Sequence, residues 1–467
     1  MIADLKPYPE YKDSGLPWLG QVPGHWETRP AFGAFIPNQE RNRGMKEKTV
    51  LSLSYGRIVI KPAEKLHGLV PESFETYQIV NPGDIVLRTT DLQNDHASLR
   101  VGMVRDRGII TSAYLALKVN AGVNPDFGFQ FLNVWDTSKA IYGFGSGLRQ
   151  NLDFSHFKRM PVALPPPAEQ AAIVRFLDYW NGRLEKAIRA KRKIIALLNE
   201  QKQAIIHRAV TRGLDPNVKL KDSGIPWLGQ IPEHWEVVQL RRVSRKVKTG
   251  GTPKGADERY YANGGFNWYT PSDFSEAIEL ANANRQLSEQ GKDQVTIFPT
   301  NTILMIGIGA TIGKVSISRF ACSCNQQINA ILPNPKLSHL EYLAYYLRTL
   351  RQYIFDCGKF TTMPILNQDG TKMLPVLRPP LDEQIAIAKH VESMSKPFAT
   401  TITRYEREIE LLREYRTRLT ADVVTGKLDV CEAVHGLPVV VEGVSDESDL
   451  SDLSDEEADT GGEEVEA

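Results

Sequence analysis

KDSGLPWLGQVPGHWE occupies residues 12–27, and KDSGIPWLGQIPEHWE occupies residues 221–236, with 13 of 16 positions identical. Agreement of that quality at an offset of 209 marks a duplication inside one chain. A second match sets LPPPAEQAAI at 164–173 against RPPLDEQIAI at 378–387, and its offset of 214 still holds for VTRGL at 210–214 against VTGKL at 424–428. A packed helix explains the constant offset, because an insertion would rotate its apolar stripe away from its partner. The 467 residues therefore read as copied segment, variable region and helix, each occurring twice.

The helical parts carry a seam. After Asn181-Gly182, read as a break, Leu184, Ile188, Lys191, Ile195, Leu198 and Ile205 recur at steps of three, four or seven. Phe398, Ile402, Tyr405, Ile409, Leu412 and Leu419 repeat that phase, after a Pro397 that is expected to start a separate helix. Two seams of one phase and length most simply pack on each other within the chain, ahead of the alternative of separate self-associating helices; if that pair is antiparallel, one variable region lies near each end. Helices over 183–211 and 398–425 would each be about 43 Å long at 1.5 Å per residue, a ruler between the variable regions. The copied segments hold Trp18, Trp26, Trp227 and Trp235, and their near-identity predicts packing against the helices in preference to contact with a variable target. The proline runs before the EQ helices are read as stiff connectors.

Charge is unevenly placed. Lys and Arg number 56, as do Asp and Glu, but twelve of the acids lie in residues 442–467. Without that stretch 44 acidic residues face 56 basic ones, and a net +12 suits a polyanionic partner. The acidic stretch is too poor in large apolar residues to fold and is expected to be disordered. The helix over 183–212 is itself basic, with nine Lys or Arg against two Glu. Four cysteines without zinc spacing point to reduced thiols, and the absence of a long apolar run argues against a membrane span, so a cytoplasmic location is expected.

Residues 28–160 and 237–374 read as α+β domains. Strand-like runs such as DIVLR at 84–88 and TILMI at 302–306 alternate with Gly- and Asn-rich turns, and each region ends in a helix. Arg88, Thr89, Thr90, Asp91, Gln93, Asn94, Asp95, His96 and Arg100 supply the donors and acceptors that groove reading needs. A turn held by Asp and Asn side chains is the plainer reading of the same cluster. Arg41, Arg43, Lys46 and Lys48 form a basic run suited to phosphate or to solvent. In the second region Lys246, Lys248, Thr249, Gly250, Gly251, Thr252 and Lys254 make a basic loop whose glycines would let backbone approach phosphate, followed by Tyr260, Tyr261, Trp268 and Tyr269, half or more of them expected in the core.

The order of copied segment, variable domain and PP-x-x-EQ helix, twice over, resembles the DNA-specificity subunit of type I restriction-modification systems. The resemblance runs from Tyr11 to Leu428. VLSLSYG at residue 50, NPGDIVLRTTDLQND at 81, SLRVG at 98 and GIITSAY at 108 are similar to one recurrent recognition-domain type. TGGTPK at 249, YY at 260 and ATIGKV at 310 resemble another. It implies an α+β chain in which two α/β target-recognition domains are separated by two long antiparallel helices forming an intrachain coiled coil, with an internal pseudo-twofold repeat. The expected divisions are 1–163 (copied segment and recognition domain 1), 164–214 (helical spacer 1), 215–377 (copied segment and recognition domain 2), 378–430 (helical spacer 2) and 431–467 (acidic tail).

The implied partners are double-stranded DNA, two copies of an adenine methyltransferase subunit and restriction or translocase subunits. S-adenosylmethionine would be used by the methyltransferase subunits, ATP and Mg by the restriction subunits, and no cofactor by this chain. Its own residues agree: GIGATIGK at 307–314 continues with Val315 where a phosphate loop needs Ser or Thr, and neither an Asn-Pro-Pro-aromatic nor an Asp-Pro-Pro-aromatic string occurs. A non-catalytic subunit reading an asymmetric, split target is expected. The rivals are a self-sufficient enzyme and a two-domain protein-binding scaffold.

Overall fold

The computed structural model describes residues 5–62, 73–90, 92, 99–143, 152–254, 257–357 and 365–438. Four helices organise it: α1 (Pro125–Thr137), α2 (Pro167–Arg212), α3 (Leu340–Thr349) and α4 (Leu381–Val424). The chain is mixed α/β with a long helix pair. It divides into two compact units, Met1–Lys191 with Arg407–Ala467, and Arg192–Glu406. The division thus cuts both long helices instead of falling at their starts, because each unit's sheet domain packs on a helix stretch contributed by α2 and another contributed by α4.

In the first unit a four-stranded antiparallel sheet joins Phe35–Pro37, Leu115–Val119, Ile85–Leu87 and Val101–Met103, in that order. Strands Ile85–Leu87 and Val101–Met103 are buried along their whole length, so their runs carry no charged residue. One face packs on α1 through Phe127, Phe131 and Trp135. Asn124 caps α1 by accepting from the N–H of Asp126 and Phe127. Strand Glu27–Pro30, which begins where the copied segment ends, pairs with Pro161–Leu164, which leads into α2. The core closes on Leu419, Val423, Val424 and Val430, while Lys6 bridges Asp429, so the start of the chain is anchored beside the end of α4.

The second unit repeats this plan with a different sheet. Ser244–Thr249, Ile328–Pro333, Thr302–Ile306 and Val315–Ser318 form its four antiparallel strands. A further sheet sets Tyr261–Tyr269 antiparallel to Gln286–Leu287 and parallel to Ser323–Cys324. Strand Glu236–Gln239 pairs with Pro375–Arg378 ahead of α4, and Ala209 and Val210 of α2 enter the core with Trp235, Tyr342 and Ile387.

Two helix-boundary expectations are corrected. Helix α2 runs unbroken through Asn181-Gly182, and α4 runs through Pro397. Tertiary packing outweighs local propensity at the first site, between buried Leu177 and Leu184. At the second the residues around Pro397 are exposed, so the carbonyl that loses its intrahelical partner turns to water and the helix survives. In the first unit Leu184, Ile188, Ile409 and Leu419 are buried and Leu412 is half-buried. Arg416 binds Glu185 at 3.0 Å and Lys191 pairs with Glu408, which fixes the two stretches antiparallel there and gives the cation in the seam its counter-charge. In the second unit Ile195, Leu198, Ile205, Phe398 and Ile402 are half-buried.

Candidate functional site

Each sheet domain is gripped by the same constellation. In the first unit Glu169, from the EQ pair, accepts from Trp26 Nε1 at 2.8 Å and from the Tyr8 hydroxyl, and lies 2.8 Å from His25 Nε2. Burial and that carboxylate hold the Tyr8 phenol far above its usual range. In the second unit Glu383 receives Trp235 Nε1 at 3.1 Å and lies 2.9 Å from His234 Nε2. The glutamines do matching work. Gln170 donates to the carbonyls of Pro165 and Gly122 and accepts from the N–H of Asn124, whereas Gln384 donates to Pro379 and Leu337 and accepts from His339. One amide thus ties a helix start to the loop that opens the domain's own helix, α1 or α3. The sequence held this signal, since His-Trp and Glu-Gln both lie in duplicated stretches, but it did not reveal that they bind each other.

On the first sheet domain the loop after strand Ile85–Leu87 leaves and returns through a narrow neck. Arg88 N–H donates to Arg100 O at 2.8 Å, and Arg100 Nη1 donates to the carbonyls of Thr90 at 2.8 Å and Arg88 at 3.3 Å. Arg100 has no exposed surface; its backbone N–H meets Asp136 at 2.6 Å and its guanidinium lies against the Tyr142 ring. This corrects its expected place among the groove-reading side chains. A buried guanidinium must spend its donors on nearby carbonyls, so Arg100 holds the loop shut at its base. Thr89 is likewise buried, and its carbonyl accepts from Leu152, while Arg88 and Thr90 are half-buried. Asp91, Gln93, Asn94, Asp95 and His96 lie outside the described residues.

The basic run nearby is built on Asn42. Its buried amide donates to Glu47 O and accepts from Glu47 N–H, both at 2.9 Å, and the turn passes through Gly44 and Met45 with positive φ. That leaves Arg41, Arg43, Lys46 and Lys48 exposed on one short loop, with Arg41 also reaching Thr76 O at 3.1 Å.

In the second domain the loop after strand Ser244–Thr249 is held from several sides. Gly250 N–H donates to Ile328 O and Gly251 N–H to Cys324 O, while Trp268 Nε1 donates to Gly251 O at 3.0 Å. A Cβ on Gly250 would lie 2.2 Å from the Cys324 carbonyl, so this glycine permits close packing, whereas a Cβ on Gly251 would meet open space. The Thr249 hydroxyl donates to Asn329 at 2.7 Å, and Thr252 bonds Gln326. Lys246 and Lys254 are exposed and Lys248 is half-buried. Trp268 and Tyr269 are core. Tyr260 and Tyr261 are half-buried, and the guanidinium of exposed Arg285 sits 4.1 Å from the Tyr261 ring centre, a pairing that the sequence did not suggest.

These are preorganised loops with cations at their rims. No group of three or more candidate metal-ligating side chains occurs among the described residues. None of the described helices is long and apolar enough to cross a membrane. Cys322 and Cys324 are buried free thiols, and burial pushes the Cys322 thiol up to about 11.

A family model described as the type I restriction modification DNA specificity domain matches residues 232–412. A type I restriction enzyme specificity subunit of Methanocaldococcus jannaschii, MjaX, is 22% identical over 285 residues, which make up 60% of this chain and 62% of the relative. The chain thus spans less than two thirds of that relative's length. The MjaVIII specificity subunit of the same organism is 24% identical, covering 75% of this chain and 80% of that one. A solved chain described as "Structural basis underlying complex assembly and conformational transition of the type I R-M system" superposes with a TM-score of 0.61 at 16% identity, covering 87% of this chain and 99% of that chain, which shows a shared fold. The chain is thus similar to type I restriction-modification DNA specificity subunits, through a family model that covers residues 232–412 and through relatives aligned over longer stretches.

Proposed function

We propose that the chain is the DNA-reading subunit of a type I restriction-modification complex. It directs adenine methylation, and cleavage by the full complex, to an asymmetric split target of which each sheet domain reads one half. The observation that carries this reading is a repeated clamp, Glu169 with His25-Trp26 and Glu383 with His234-Trp235, holding two sheet domains whose rims differ. A frame kept nearly unchanged around two diverged surfaces suits a device that holds two different readers.

Several finer statements belong to the same reading. The long helices act as an intrachain antiparallel coiled coil, and the duplication acts as a pseudo-twofold repeat. Two methyltransferase subunits bind along the helices, carry S-adenosylmethionine and perform the base flipping and methyl transfer. Restriction subunits supply ATP- and Mg-dependent work, and the complex operates in the cytoplasm. In the first domain, Arg41, Arg43, Lys46, Arg88 and Thr90 approach DNA with the loop at 91–95. In the second, Lys246, Lys248, Lys254 and the Gly251-Thr252 backbone approach phosphate, with Tyr260 and Tyr261 alongside.

The test is duplex binding by the chain assembled with its methyltransferase subunits, measured against salt. Binding should weaken steeply and linearly in log–log form as phosphate contacts release counterions, and methyl transfer should require both components. A protein-binding scaffold would show no salt-dependent DNA retention. Methyl transfer by this chain alone would make it a self-sufficient enzyme.

A further inference from the structure

We propose that Arg285 is a guanine-reading residue of the second recognition domain, its guanidinium resting against Tyr261 and Trp268 so that its donors meet the two major-groove acceptors of one guanine. This rests on the DNA-reading function proposed above. The guanidinium carbon lies 4.1 Å from the Tyr261 ring centre and 5.3 Å from that of Trp268. The two rings meet edge to face, 5.8 Å apart at 62°. Arg285 is exposed, and among the described residues its guanidinium forms no hydrogen bond or ion pair. Arg259, Arg319, Arg348 and Arg378 of the same unit each have a carboxylate partner. Stacking on rings positions a guanidinium without consuming its N–H groups, so the donor fork of Arg285 is left for another molecule.

The backbone that carries this side chain is fixed as well. Arg285 O accepts from Trp268 N–H at 3.3 Å, just before strand Gln286–Leu287 pairs with Tyr261–Tyr269. Tyr261 and Phe266 both face Leu287, so residues 262–265 loop out and the Tyr261 ring is brought back to Trp268. On the approach, Ala283 N–H donates to the buried Asn267 side chain at 3.0 Å and Asn284 N–H to Asp273 at 2.8 Å. Trp268 also donates through Nε1 to Gly251 O at 3.0 Å, which joins the platform to the loop already read as a phosphate contact. A Cβ on Gly251 would meet open space, and Lys246 and Lys254 at that rim are exposed. A mobile ammonium suffices to attract a phosphate. A guanidinium set in place by two rings is preorganised for a planar pair of acceptors, and in the major groove guanine O6 and N7 are that pair. A phosphate and a carboxylate of a protein partner are the competing occupants, and the test separates all three.

The experiment uses the complex of the full chain with its methyltransferase subunits. It measures affinity, over a range of salt, for a duplex bearing the motif found methylated in the source genome, for a scrambled duplex, and for duplexes in which each base pair of the motif is replaced in turn. Each guanine is also replaced by 7-deazaguanine, which lacks the N7 acceptor. Wild type is expected to lose about tenfold or more when one particular guanine is replaced by another base, and about fivefold with its 7-deaza form. Arg285→Ala should bind the intact motif about tenfold more weakly and show less than about threefold preference at that position, with every other position discriminated as before. Arg285→Lys should not restore the preference, because an ammonium lacks the planar fork. Thermal melting should stay close to wild type, because the side chain is exposed and holds no hydrogen bond within the fold.

Discrimination unchanged at every position in Arg285→Ala would overturn the assignment. So would an equal loss on all duplexes with a salt slope lower by about one, which marks a phosphate contact, or a loss of co-purifying methyltransferase, which marks a protein contact. A wild-type complex that binds motif and scrambled duplexes alike would instead overturn the underlying DNA-reading function, so the two failures are distinguishable.

Discussion

The two clamps and the two rims have diverged to different degrees. Glu169 and Glu383 meet the same His-Trp pair with distances of 2.8 to 3.1 Å, although the domains they hold share little sequence. The rims share almost nothing: the first domain carries an exposed basic turn built on Asn42 and a loop neck stapled by a buried arginine, the second a glycine loop pinned by Trp268. The difference separates two jobs. Groups that set the pose of a domain tolerate little change because several partners depend on each, whereas groups at a rim are free to follow a changing target.

The comparison breaks first at the tryptophans. Both Trp26 and Trp235 have no exposed surface, so each substitution to Ala should cost about 3–5 kcal/mol, and the two costs should agree within about 1 kcal/mol. Chemical denaturation followed by fluorescence checks this, and a large inequality would mean that the clamps are alike in sequence only. A sharper contrast lies in the carboxylates. Glu169 has three partners with its side chain 9% exposed, whereas Glu383 has two and is 28% exposed. Glu169→Ala is expected to cost about 3 kcal/mol and Glu383→Ala about 1, since unsatisfied buried donors are the larger penalty. Arg100→Ala should cost about 2 kcal/mol by orphaning the loop neck, and Arg100→Lys should not restore it, because one ammonium cannot reach both carbonyls in the same geometry.

Smaller effects follow from charge. Burial raises the Cys322 thiol from 9.0 to about 11. The folded state therefore holds its proton more tightly than the unfolded chain, and this contribution is whole below pH 9 and is lost as pH rises through 11. Melting temperature against pH should fall over that window, and Cys322→Ala should flatten the decline. Lys254→Ala, at the exposed rim of the second loop, should leave stability alone and lower the salt slope of DNA binding by about one.

Most of the frame was legible in the sequence because duplication supplies its own comparison. The phase of Leu184, Ile188, Ile409 and Leu419 picks out side chains that are buried in the structure. Helix continuity was not legible. Asn181-Gly182 and Pro397 are local breakers, and the contacts that override one and the solvent that accommodates the other are tertiary facts. At the site, the basic run around Asn42 and the glycine loop could be located by composition. The burial of Arg100 could not, since an arginine among Thr, Asp and Asn has the composition of a reader whether it faces outward or inward.

The claim that two different readers are held in one copied frame is tested most directly by single-molecule sequencing of methylated adenine in the source genome, with this gene intact and deleted. The account predicts a split motif with unequal halves around an unread spacer, methylated when the gene is present and unmethylated when it is removed. A palindromic motif, or methylation that persists unchanged after deletion, would contradict it.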